Sequence, residues 1–186
     1  MAFASSSGGT FHGANKPTVV VGWEEQTVAT SALGWDQLTL ADQTIVAVSW
    51  GLGSSTFTYY AHIRSKDNGT WAQATITTDA DGSETRTGVC LVEAPDGTLL
   101  AYYVLRRDGR AFLGCSRSTN NGAAWTVQSR DVCGNLVSDV AATVKINRIR
   151  AASNQSSQIL ILVEWDDGGG GSSQHTAQYV SVDGGV

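Results

Sequence analysis

Apolar runs of about seven residues recur along this chain, each followed by a polar loop and a second run, which is the pattern of short antiparallel strands. The clearest pair is Thr44-Ile45-Val46-Ala47-Val48-Ser49-Trp50 with Thr58-Tyr59-Tyr60-Ala61-His62-Ile63-Arg64. A second pair is Thr98-Leu99-Leu100-Ala101-Tyr102-Tyr103-Val104 with Ala111-Phe112-Leu113-Gly114-Cys115-Ser116-Arg117. A third is Ile159-Leu160-Ile161-Leu162-Val163-Glu164-Trp165 with His175-Thr176-Ala177-Gln178-Tyr179-Val180. Shorter strands precede the first two pairs: Gln37–Leu40 turns at Ala41-Asp42-Gln43, and Val89–Glu93 turns at Pro95-Asp96-Gly97. The second is a strong turn signal, because Pro presets φ and Gly accepts positive φ. Trp71–Ile76 and Trp125–Val127 supply fourth strands, so the pattern predicts units of four antiparallel strands. Trp50 and Trp165 occupy matching strand ends, and the tyrosines fall in strands, where sheet packing is their ordinary role.

A motif punctuates the units. Ser65-Lys66-Asp67-Asn68-Gly69-Thr70-Trp71 and Ser118-Thr119-Asn120-Asn121-Gly122-Ala123-Ala124-Trp125 are followed by Ser181-Val182-Asp183-Gly184-Gly185-Val186. All three read Ser-x-Asp/Asn-x-Gly, and the first two reach a Trp. They resemble the Asp-box of sialidase-type (BNR-repeat) β-propellers. The resemblance implies an all-β fold, a partial β-propeller of about three four-stranded antiparallel blades, the last incomplete. The expected blades are about 36–78, 86–130 and 141–186, within a propeller portion 17–186 that follows a flexible arm 1–16. Box residues Ser65, Asp67, Gly69, Trp71, Ser118, Asn120, Gly122, Trp125, Ser181, Asp183 and Gly185 read as structural. Their Asp or Asn can accept turn amides, Gly tolerates left-handed angles, and Trp buries apolar area. The first box is one residue short before its Trp, and the second has Asn120 for Asp.

Composition narrows the partners. The 186 residues include 21 Gly and only 2 Pro and carry net charge -5 without a basic run, so nucleic acid is not an expected partner. No apolar stretch is long enough for a membrane helix. The start lacks the basic and apolar regions of a secretory signal, which favours a cytoplasmic or virion-associated setting over classical secretion. Three cysteines without CxxC spacing, Cys90, Cys115 and Cys133, read as buried thiols, and neither a metal nor a cofactor is expected.

On the resembled fold, ligands bind on the face opposite the boxes. Candidate ligand-binding residues there are Arg86, Arg106, Arg107 and Asp108. Sialidases clamp a carboxylate with three arginines, one of them in an Arg-Ile-Pro motif that opens a blade. Arg86, in Thr85-Arg86-Thr87-Gly88 ahead of Gly97-Thr98-Leu99-Leu100, lies one residue out of that register and lacks the Ile-Pro. Asp166-Asp167 is a Gly-rich hairpin tip, weighed against a calcium site. His62 and His175 show no partner in the sequence, and no catalytic set of nucleophile, base and acid is assignable. The favoured reading is a non-catalytic propeller module that binds surface glycans or a partner protein, for example in a viral or phage particle. The alternative is an exo-sialidase or related glycosidase of which this chain is an N-terminal part. Three blades do not close a ring. Further blades are expected from a longer chain or a second copy, with Pro17-Thr18-Val19-Val20-Val21-Gly22-Trp23 a candidate closing strand.

Overall fold

A computed structural model describes residues 9–10, 20–21, 33–52, 56–66, 69–79, 88–107, 110–129, 132, 145–154, 157–166 and 174–181. The chain divides into two compact units, Met1–Thr30 and Ser31–Val186. In the first, Gly9–Thr10 (β1) pairs antiparallel with Val20–Val21 (β2). The second unit holds three antiparallel sheets.

Blade 1 contains Leu33–Thr39 (β3), Ile45–Leu52 (β4), Phe57–Arg64 (β5) and Ala72–Asp79 (β6), paired in that order. Blade 2 contains Val89–Glu93 (β7), Leu99–Arg107 (β8), Arg110–Ser118 (β9) and Thr126–Ser129 (β10), again in chain order. Blade 3 has Lys145–Ser153 (β11), Ile159–Asp166 (β12) and Gln174–Ser181 (β13). The first strands β3, β7 and β11 lie side by side, so each blade radiates outward from its first strand.

Period-two alternation makes each sheet two-faced, and the blades stack face to face. From blade 1, Val46, Val48, Trp50, Phe57, Tyr59 and Ala61 meet Leu91, Leu99, Ala101, Tyr103 and Leu105 of blade 2 in one core cluster. The opposite face of blade 2 presents Cys90, Leu100, Tyr102, Val104, Leu113 and Cys115 to Ile146, Ile149, Ile159, Ile161 and Val163 of blade 3. Most of these side chains are fully buried, each contributing roughly 1.5–3 kcal/mol of transfer free energy when large and aliphatic.

Tyr103 shows how tightly the first interface fits. It lies opposite Gly114 in the β8–β9 ladder, and a Cβ on Gly114 would sit 2.4 Å from the Tyr103 ring. The ring stacks on Tyr59 at 4.9 Å, and its hydroxyl meets Ser116 Oγ at 2.8 Å. The Tyr59 hydroxyl donates to the Val104 carbonyl, so both phenols cross the core with their polar ends satisfied.

The turns joining first and second strands repeat one geometry. Leu40 N–H donates to Thr44 O, Ala94 N–H to Thr98 O, and Asn154 N–H to Gln158 O. The residue before each acceptor has positive φ: Gln43 at 68°, Gly97 at 81° and Ser157 at 77°. These turns fix the equivalence of the blades. By ladder register Asp36, Cys90 and Arg150 are equivalent positions, as are Val48, Tyr102 and Leu162. The same register places Arg64, rather than Ser65, at the position of Ser118 and Ser181. Trp50 and Trp165 share a strand end but are offset by one residue. Trp50 therefore belongs to the cluster between blades 1 and 2, and Trp165 packs against the cluster between blades 2 and 3.

Candidate functional site

Two contacts orient the blades alike. Asn121 Nδ2, in the β9–β10 turn, donates to Asp42 Oδ2 in the β3–β4 turn at 3.0 Å. Ser153 Oγ, at the end of β11, donates to the Glu93 carbonyl at the end of β7. These turns share one face, the turn face. The opposite ends of the strands, where β4 meets β5, β8 meets β9 and β12 meets β13, form the mouth.

The turn from Ser118 to Trp125 is held by its own side chains. Ser118 Oγ accepts from Gly122 N–H at 3.0 Å, and Asn120 Oδ1 accepts from Ala124 N–H at 2.8 Å and from the Ser118 hydroxyl at 2.9 Å. Trp125 Nε1–H donates to Gly122 O at 2.7 Å. Gly122 has φ +88°, and a Cβ there would lie 3.1 Å from Val46 and 3.3 Å from Ile63 of blade 1. All of these groups are engaged internally or against the neighbouring blade, which is the arrangement of a clamp. Of the first box, Ser65 is exposed, Gly69 O accepts weakly from Arg64 Nε, and Trp71 is half-buried. Asp67, Asp183 and Gly185 lie outside the described residues, and Ser181 ends β13. Asp42 and Asp96 cap their own turns: the Thr44 and Thr98 amides hold each carboxyl below the usual carboxylate range.

At the mouth, blade 3 gathers polar and aromatic groups. Asn147 is the extra residue of a β-bulge in β11, between Ile146 and Arg148. Its amide donates to Asp166 Oδ2 at the end of β12 at 3.4 Å. Trp165 and His175, cross-strand neighbours on the other face of the sheet, stack with centroids 5.3 Å apart and planes 17° from parallel. Arg148 Nη1 lies 3.8 Å from Glu164 Oε2, with both side chains about half exposed. Bulges commonly re-aim a side chain next to a site, and this one turns Asn147 out while keeping Ile146 and Ile149 both buried. Asn147, Arg148 and Glu164 were not singled out from the sequence. Period-two alternation fails between Ile146 and Ile149, so Lys145–Ser153 does not read as a strand.

Of the candidate ligand-binding residues, Arg106 and Arg107 end β8 at the mouth, whereas Arg86 and Asp108 lie outside the described residues. His62 does have a partner: its Nε2 meets Ser49 Oγ at 2.9 Å, both residues being buried. Burial holds the His62 pKa below 6.5, so its imidazole is neutral at pH 7. Shielded from solvent, the pair reads as a satisfied polar contact within blade 1. Burial pushes the Cys115 thiol up to about 12, and Cys90 higher still, so neither is a thiolate at neutral pH. Among the described residues no group of three or more His, Cys, Asp or Glu could hold a metal ion.

One carboxylate joins all three first strands. Asp36 Oδ2 accepts from Leu91 N–H of β7 at 3.1 Å, and Asp36 Oδ1 lies 3.7 Å from Arg150 Nη1 of β11. Leu91 N–H is on the edge of its sheet, and the Asp36 side chain takes the place of a missing ladder partner.

No protein-family model matches the sequence, and no curated protein matches it. Solved structures do match. An α-L-arabinanase of Penicillium chrysogenum, complexed with arabinobiose, aligns with TM-score 0.57 and 16% identity over 81% of this chain and 46% of its own. The α-L-arabinofuranosidase of Fusarium graminearum, with an iminosugar inhibitor, aligns with TM-score 0.56 and 16% identity over 82% of this chain and 46% of its own. A Hadza microbial sialidase aligns with TM-score 0.58 and 11% identity over 85% of this chain and 36% of its own. This chain thus spans less than half the length of these structures. Its three stacked antiparallel sheets and these alignments together give the conclusion: the chain folds as part of a sialidase-like β-propeller.

Proposed function

We propose that this chain is a saccharide-recognising propeller segment whose ligand engages the mouth of blade 3. The observation that carries the reading is the set of half-exposed groups at that mouth: Asn147 on Asp166 and Arg148 beside Glu164 on one face of the sheet, with the Trp165–His175 stack on the other. Saccharide sites combine a few fixed polar groups, which match hydroxyls, with an aromatic surface for apolar ring faces. The turn face, by contrast, spends its side chains on its own backbone and on the neighbouring blade. That the structural neighbours include an arabinanase complexed with arabinobiose supports the class of ligand.

Glycan-array binding of the chain, followed by titration of any positive saccharide, tests the reading. Arg148→Ala and Asp166→Asn are expected to weaken binding at least tenfold while leaving the thermal midpoint nearly unchanged. Absence of binding across arabinan, sialylated and other surface glycans would sink it.

A second reading, glycoside hydrolysis, is favoured by one placement. Glu164 and Asp166 share a face of β12 two residues apart, roughly 6.6 Å along the strand. A pair of carboxylates is what the acid and the base or nucleophile of glycoside hydrolysis require. Turnover of an aryl arabinofuranoside or sialoside, abolished by Glu164→Gln, would replace binding with hydrolysis as the function.

A further inference from the structure

Two Asn-Gly pairs occur in this chain, Asn68-Gly69 and Asn121-Gly122, one in each complete box. An asparagine before glycine can modify itself, because the glycine nitrogen carries no side chain to hinder its attack on the Asn Cγ. At Asn121 the folded turn withholds both reactants. The side chain is drawn toward blade 1, where Nδ2 donates to Asp42 Oδ2 at 3.0 Å. The Gly122 nitrogen is buried, and its N–H donates to Ser118 Oγ at 3.0 Å. Gly122 is also wedged against blade 1, since a Cβ there would lie 3.1 Å from Val46 and 3.3 Å from Ile63. The nitrogen therefore cannot swing onto Cγ while the turn keeps its seat. Asn121 itself is exposed, so water has access to its carboxamide. The first box is built differently. Ladder register places Arg64 where the second box has Ser118, so no hydroxyl at that position holds the Gly69 amide, and Gly69 is exposed.

From these contacts we propose that Asn121-Gly122 is a latent self-modification site, and that its conversion releases a latch between blades 1 and 2 which cannot re-form. When the clamp opens, the Gly122 nitrogen gives its proton to solvent and bonds to Asn121 Cγ. The Cγ–Nδ2 bond breaks, and Nδ2 leaves as ammonia. Water then adds to one of the two carbonyls of the cyclic imide, and cleavage of that carbon–nitrogen bond leaves an aspartate or an isoaspartate. Water is the only co-reactant, and nothing is oxidised or reduced. The donor of the interblade hydrogen bond departs with Nδ2. A carboxylate takes its place against the Asp42 carboxylate, and two like charges at that distance disfavour one another. The isoaspartate also lengthens the backbone beside Gly122, which then no longer fits between Val46 and Ile63. Conversion is slow in the closed turn, because only the open fraction reacts, and it is irreversible once made. The proposal stands independently of the saccharide reading.

Peptide mapping by mass spectrometry, on the whole chain incubated in neutral buffer with and without urea, tests the modification. In urea both Asn-Gly pairs should convert at similar rates. Folding is expected to slow Asn121 at least tenfold and to slow Asn68 less. Ser118→Ala, which frees the Gly122 amide, should return much of the lost rate to Asn121 while leaving Asn68 unchanged. A rate at Asn121 that neither folding nor Ser118→Ala alters would overturn the proposal. The latch is read separately on Asn121→Asp. Its urea midpoint is expected to fall below that of the wild type, most at low ionic strength, and to recover when Asp42→Asn is added. A midpoint equal to the wild type's at low ionic strength would contradict the latch.

Discussion

Gln43 occupies a left-handed conformation that its equivalent in blade 2, Gly97, adopts without a Cβ penalty. Gln43→Gly is therefore expected to stabilise the chain, by up to about 1 kcal/mol, read as a rise in the urea or thermal midpoint. Asn120 is the opposite case, because its Oδ1 serves two donors in the turn. Asn120→Ala should cost about 1–3 kcal/mol in chemical denaturation, and Asn120→Asp, which keeps the acceptor, much less. His62 gives a pH signature. Its pKa in the fold lies below 6.5, so the unfolded chain takes up the proton first as the solution is acidified. The contribution of the neutral Ser49–His62 contact is complete above about pH 6.5. It is lost as pH falls from there toward the folded value, by at most about 1.4 kcal/mol per pH unit. Stability curves of the wild type and His62→Gln should converge in slope above that window and diverge within it.

Among the elements, β8 and β9 carry the tightest fit. A methyl group at Gly114 would collide with the Tyr103 ring, which the Tyr59 stack and the Ser116 hydroxyl hold in place. Gly114→Ala should cost about 1–3 kcal/mol, with the loss visible in the near-ultraviolet circular dichroism of the tyrosines. The sequence made β4, β5, β8, β9, β12 and β13 readable, because their apolar positions run together or alternate without a break in period and Pro95-Asp96-Gly97 marks a turn. It concealed β11, since the bulge at Asn147 puts Ile146 and Ile149 on one face at a spacing of three. The same bulge presents Asn147 and Arg148 at the mouth, so the irregularity that hid the strand also hid the candidate site. Ser157 hid a turn in the same way, by taking positive φ without glycine, whereas the Ala41-Asp42-Gln43 turn was legible despite the left-handed Gln43. The partners of Asp36, 55 residues from Leu91, and of Ser49, 13 residues from His62, depend on strand register and blade stacking, which local sequence does not encode.

At the scale of the whole molecule, the two faces divide the labour. The turn face locks blade to blade through Asn121 and Asp42 and through the Ser118–Trp125 clamp, while the mouth of blade 3 leaves charged, amide and aromatic groups accessible. The central claim is that ligand recognition belongs to the mouth and structural integrity to the turns. Isothermal titration of a saccharide bound by the wild type tests it most directly, when made on Arg148→Ala and Asn154→Ala, one variant from each face. The account predicts at least a tenfold loss of affinity for Arg148→Ala and wild-type affinity for Asn154→Ala. Unchanged affinity for the first, or a comparable loss for the second, would contradict it.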